Sequence, residues 1–152
     1  MGATLGFEST IGSVLEGVGP DMREQLLLHM DALEKRHIRF RHVAVWRQAF
    51  LGGAADHHTL VYEYTFGKRL MSLKIDWGRE GISFTDSVED PCPNGDIIRR
   101  KWVRLGPEQV KKSILKVKDW DYLLTIWNCQ HFSAYLFEQA DEAFADVVGA
   151  GA

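Results

Sequence analysis

Cysteine is scarce in this chain: Cys92 and Cys129 are the only two among 152 residues. Two thiols cannot build a disulfide framework, so a reducing compartment, the cytoplasm, is the simpler setting. No apolar run approaches the length of a membrane span. The first 19 residues are glycine-rich and lack the basic-then-apolar order of a secretory signal. Gly6 stands where a myristoylation motif needs Ser or Thr. Positive charge is not in excess: the net charge of −3 leaves no global basic footprint for nucleic acid. No Cys/His spacing matches a common zinc pattern. Cys92, Cys129 and His131 together would leave a site open, so neither a metal nor a cofactor is expected.

What is present is enough apolar content, 45%, for one hydrophobic core. Residues 1–20 read as an N-terminal arm, 21–148 as a single domain and 149–152 as a frayed tail. Pro20-Asp21 opens a helix, with Asp21 and Glu24 spaced as a capping box. Met22, Leu26, Met30 and Leu33 form its apolar stripe. From Ile38 the period falls to two, and Phe40, His42, Ala44 and Trp46 share one apolar, core-facing side of a strand. Residues 51–56 form a turn, and further strands follow at 60–66, 70–77, 82–84 and 97–103. Asp90 to Gly95 is a loop. Gly106-Pro107-Glu108 starts a helix with proline at its first position, and Val110, Ile114 and Val117 give it a buried stripe. This is an α+β order, with antiparallel strands between helices.

The chain is organised around Trp127-Asn128-Cys129-Gln130-His131-Phe132-Ser133. Asn128 reads as an N-cap and Cys129 as a first-turn residue, with Phe132, Leu136 and Ala140 at helical spacing behind it. Unpaired N–H groups and the helix dipole favour a thiolate there. Such a thiolate becomes a nucleophile when a histidine lies close in space. His131, two residues on, points away, and His29 and His37 lie on a helix with no reason to face the site. His42, His57 and His58 remain. His42 is preferred, because antiparallel pairing puts an acidic residue, Glu63, on the adjoining strand to orient it. His57 and His58 read as turn residues at the start of that strand.

Tyr122-Leu123-Leu124 followed by Asn128-Cys129-Gln130-His131-Phe132 resembles the nucleophile segment of lecithin retinol acyltransferase-like proteins, and His42-Val43-Ala44-Val45-Trp46 is similar to their histidine strand. The resemblance covers roughly residues 38–140. It implies a circularly permuted papain-like fold, with an antiparallel sheet packed against a cysteine-bearing helix. It also implies acyl transfer or hydrolysis through a thioester on Cys129, on a lipid or peptide-like substrate, with peripheral membrane contact open. Gln130 departs from the family's glutamate, and Glu63 stands where its acyltransferases carry histidine. The chain is similar in a second way to the PPPDE thiol isopeptidases of ubiquitin-like modifiers. There His58-Thr59 ahead of Tyr62-Glu63-Tyr64 matches the histidine segment, and His58 becomes the alternative base. A catalytically inactive interaction domain of the same fold is the reading from another class.

Overall fold

The computed structural model describes residues 21–49, 56–78, 81–88, 90–117 and 129–141. Their order is helix α1 (Arg23–Lys35), strands β1 (Phe40–Ala49), β2 (Asp56–Phe66), β3 (Arg69–Gly78), β4 (Gly81–Ser87) and β5 (Asp96–Leu105), then helices α2 (Pro107–Lys116) and α3 (Cys129–Gln139). The strands form one five-stranded antiparallel sheet in the order β4-β3-β2-β1-β5. The fold is α+β, as the alternation of periods implies.

Local chemistry explains the joints. At the end of α1 the Ile38 N–H donates to the Leu33 carbonyl and the His37 N–H to that of Glu34. His37 takes the left-handed conformation, φ 58°. This is a Schellman stop, closed by contact between the buried Leu33 and Ile38. The β2–β3 hairpin turns on Gly67, whose φ of 63° suits the first position of a type II′ turn. Gln109 accepts the Gly106 N–H at 2.7 Å and closes the start of α2 behind Pro107.

Asp21 departs from the sequence expectation. The helix begins two residues later, at Arg23, with Met22 at the N-cap position and no side-chain cap. Asp21 instead accepts the Ile82 N–H at 2.9 Å, while the Met22 N–H donates to the Ile82 carbonyl at 2.7 Å. The same Oδ1 also accepts the Arg23 N–H at 3.2 Å, so this carboxylate joins the first residue of the helix to the start of β4. A side chain on Gly81 would run into Asp21, with 2.6 Å between a Cβ and the carboxyl group.

The three helices and one face of the sheet enclose the core. Leu26, Met30 and Leu33 of α1, Val110 and Ile114 of α2, and Phe132, Leu136 and Phe137 of α3 meet Val43, Val45, Leu60, Tyr62, Leu73, Ile75 and Trp77 of the sheet. The expectation that Phe40, His42, Ala44 and Trp46 share the core side of β1 holds for Phe40, while Val43 and Val45 rather than His42 and Trp46 join the core cluster. The β1–β5 register shifts between Phe40 and His42. Phe40 and Val43, three residues apart, therefore both enter the core, and His42 is directed away from it. Helix α3 has only eleven residues, too few to hold itself in water. Its position is set by packing on β2, β3 and β1. Phe132 stacks on Trp77 with ring centroids 4.8 Å apart. Fully burying each such side chain contributes about 1.5–3 kcal/mol.

Candidate active site

The site begins where two strands part. The β2–β3 ladder runs from Phe66 and Arg69 down to Leu60 and Ile75 and stops there. Both strands continue: β2 stays paired with β1 back to Asp56, and β3 with β4 out to Gly78. Beyond the fork, residues 57–59 of β2 no longer pair with residues 76–78 of β3. Cys129, the first residue of α3, comes to this place, carried by Phe132 one turn along the helix on Trp77 at the fork's β3 side.

Asp76 is almost completely buried, at 4% exposure. Its Oδ1 accepts the His57 Nε2–H at 2.6 Å and the Thr59 hydroxyl. With Nε2 committed to Asp76, Nδ1 is the ring nitrogen left for the sulfur of Cys129. The imidazole and the thiol are hydrogen-bonded, and the backbone N–H of His58 also donates to the sulfur. Consecutive strand residues point to opposite sides. His57 therefore contributes its ring to this site and His58 its main chain.

The electrostatics follow from this geometry. Burial works against the charged form of His57. The hydrogen bonds to Asp76 and Cys129 and the charges of both outweigh it and raise its pKa to about 10. Burial likewise opposes ionisation of Cys129, which is 7% exposed. The His57 hydrogen bond, the His58 N–H and the His57 charge prevail and hold the thiol below its ordinary value. The two titrate as a pair, and each favours the charged form of the other, thiolate beside imidazolium.

Cys92 behaves differently. It is fully buried, and burial pushes its thiol up to about 12. Its turn closes with the Gly95 N–H on the Cys92 carbonyl at 2.9 Å and the Cys92 N–H on Asp90 at 3.1 Å. Both cysteines are free. Among the described residues, no group of three His, Cys, Asp or Glu side chains is placed to hold a metal ion.

The residues singled out in the sequence divide accordingly. Cys129 is at the site; its Asn128 cap lies outside the described residues. His42 and Glu63 do face each other, as antiparallel pairing required: they are register partners, with Nδ1 and Oε2 3.8 Å apart. They are at the wrong end of the strands. Glu63 is six positions along β2 from His57, roughly 20 Å at the rise of an extended chain. His42 instead lies against Trp102, with centroids 3.7 Å apart, and Arg100 approaches Glu63 at 3.5 Å. Burial first, and then Arg100, lower the His42 pKa. The histidine beside the thiol is thus His57 rather than His42, and the carboxylate that orients it is Asp76 rather than Glu63. His58, the alternative base, meets the sulfur through its backbone N–H.

Sequence reasoning missed Asp76 and Thr59 because it began β2 at Leu60, and because nothing in the alternation of strand 70–77 sets Asp76 apart from Ser72 and Lys74. The signal was in the hairpin. Counting back from the tight turn at Gly67-Lys68, residue against residue, places Thr59 across from Asp76 once the strand is extended to His57. A search of known proteins adds no external constraint to this geometry: no family model, no curated protein and no solved structure matches the chain.

Proposed function

We propose that the protein is a cysteine-dependent hydrolase or acyltransferase in which Cys129 is the nucleophile, His57 the proton carrier and Asp76 the residue that orients it. The row Cys129–His57–Asp76, buried at the fork between β2 and β3, carries this reading. The thiolate adds to an ester or amide carbonyl, and the C=O electrons move onto oxygen. Collapse of the tetrahedral adduct breaks the C–O or C–N bond, and the imidazolium gives its proton to the departing alcohol or amine. The product is a thioester on Cys129. Water, or an acceptor alcohol or amine, then attacks the thioester while His57 takes up its proton, and the thiolate leaves. Backbone N–H groups at the start of α3 are the donors best placed for the oxyanion. Asp76 holds the ring in register throughout.

The chain order, with histidine and carboxylate strands ahead of the cysteine helix, supports a permuted papain-like arrangement. Within that class the base sits on the strand bearing Tyr62-Glu63-Tyr64, immediately before the His58-Thr59 pair. That favours the isopeptidase-like alignment, shifted by one residue, over the acyltransferase-like one. A peptide-like amide, such as the C-terminal linkage of a ubiquitin-like modifier, is accordingly the preferred substrate class over a lipid ester. Two free thiols fit a reducing, cytoplasmic setting. Among the described residues no helix is long and apolar enough to cross a membrane.

The test is acylation. Incubation with p-nitrophenyl esters, and with a ubiquitin-like protein carrying a C-terminal coumarin amide, should release the chromophore. Intact-mass measurement should show the ester's acyl group on Cys129, and both signals should vanish in Cys129→Ala. A thiol that gains no acyl mass from either reagent, and that alkylates with an apparent pKa near that of a free cysteine, about 8.5, would leave only a binding domain.

A further inference from the structure

The Asp76 carboxylate has two oxygens, and the row described so far uses one. Oδ1 takes both the His57 ring and the Thr59 hydroxyl. Oδ2 is buried, and among the described residues no hydrogen bond reaches it. The Lys74 ammonium stands 4.0 Å from this oxygen, its side chain only 13% exposed. Lysine is rarely buried to this extent unless it serves a partner. Lys74 and Asp76 are two apart on β3 and so project from the same side of the strand. The Asp90–Gly95 turn lies over them: the charges of both side chains act on the thiol of Cys92, as does Asp90.

We infer that Lys74 is a positioning residue of the candidate site, its ammonium completing an alternating row of thiolate, imidazolium, carboxylate and ammonium that runs from Cys129 to Lys74. The inference rests on the proposed role of Cys129, His57 and Asp76. The physical reason is charge balance. Three buried groups of signs minus, plus and minus leave one negative charge in excess in a medium that solvates it poorly. A cation at the far end of the carboxylate brings the row to neutrality. It removes the incentive for Asp76 to take up the His57 proton, and that keeps the imidazolium available to the thiolate. Thr59, donating to Oδ1, turns the carboxylate so that Oδ2 faces Lys74. Lys74 touches no reacting atom and acts only through Asp76.

The experiment is site-resolved iodoacetamide labelling of Cys129 against pH in the full chain, read by mass spectrometry. Among the described residues, the groups facing the row are Cys129, His57, His58, Asp76, Lys74, Cys92 and Asp90, and none but Lys74 is changed in the single variants. Lys74→Met keeps the apolar stem and removes the charge. Its labelling midpoint should rise by about one pH unit, so that labelling on the acid side of the profile falls roughly tenfold. Lys74→Arg should restore the wild-type curve to within a few tenths of a unit. A Lys74→Met profile that superimposes on wild type overturns the inference while leaving the proposed nucleophile intact. If instead wild type itself labels like a free thiol, it is the proposed function that fails. Should Lys74→Met not fold, the comparison moves to Asp76→Asn against Asp76→Asn/Lys74→Met, which removes both buried charges. Because Lys74 works through the carboxylate, those two curves should coincide, and a separation of a full unit would refute the positioning role.

Discussion

Two histidine–carboxylate pairs bridge neighbouring strands, His42–Glu63 across β1 and β2 and His57–Asp76 across β2 and β3, and they do different things. His42 and Glu63 are direct register partners, yet their charged atoms are 3.8 Å apart. Arg100 competes for the carboxylate, and the histidine's affinity for a proton is lowered, chiefly by burial. His57 and Asp76 are on strands that have parted, and they bond at 2.6 Å. There the same burial is overcome, and the pKa climbs to about 10. The difference lies in the surroundings. The His42 pair lies across an intact ladder next to a half-exposed Trp102. At the fork the ladder is broken, a helix brings in a thiol, and the carboxylate is sealed from water.

The sharpest way to break this contrast is to exchange the roles. His57→Gln should lower the rate of Cys129 alkylation at pH 6.5, and any turnover of the coumarin amide, by about 100-fold, the range expected when a positioned base is lost. His42→Gln should leave both within twofold. Equal effects would remove the distinction. Asp76→Asn should cost about tenfold in the same assay, because the ring loses the group that fixes it, whereas Glu63→Gln should be silent.

Stability against pH should show the two pairs with opposite signs. A histidine whose folded pKa is raised adds stability below about pH 6.5 and loses it as the pH climbs toward about 10. Wild-type Tm should therefore fall across that window more than the Tm of His57→Gln. A histidine whose folded pKa is lowered resists protonation in the native state. His42 thus weakens the fold as the pH drops below 6.5, and His42→Gln should flatten that acid limb. Scanning calorimetry from pH 5 to 10 distinguishes the two.

A third pair supplies a smaller, structural control. His29 and Tyr64 both hold Oδ2 of Asp86, at 2.7 and 2.5 Å, and tie α1 to the sheet. His29→Ala should lower unfolding free energy by about 1–3 kcal/mol in urea titration, the cost of a buried carboxylate losing a partner, with no change in the Cys129 labelling profile. Removing the exposed Trp102 ring from His42 by Trp102→Ala should have the smallest effect, within about 1 kcal/mol.

Much of the fold was legible in the chain. The stripe Leu26, Met30, Leu33 and the stripe Val110, Ile114, Val117 are buried as their spacing requires, and five strands occur over the expected segments, with β2 starting four residues earlier, at Asp56. Less of the site was legible. The thiol at a helix start could be read from Cys129 and its neighbours. Its partners could not, because His57 and His58 follow a turn-like segment and look like loop residues. Asp76, too, has the same alternating polar signature as Ser72 and Lys74. Nothing local marks which polar strand residue is to be buried.

Residue order and periodicity suffice for the α+β class, for the hairpin at Gly67 and for a cysteine leading a helix, because each depends on interactions within a few residues. The choice of His57 over His42, and of Asp76 over Glu63, depends on where a ladder ends and on which end of the sheet a short helix docks. Those are contacts between segments far apart in sequence, selected by the packing of Phe132 on Trp77, and no local pattern encodes them.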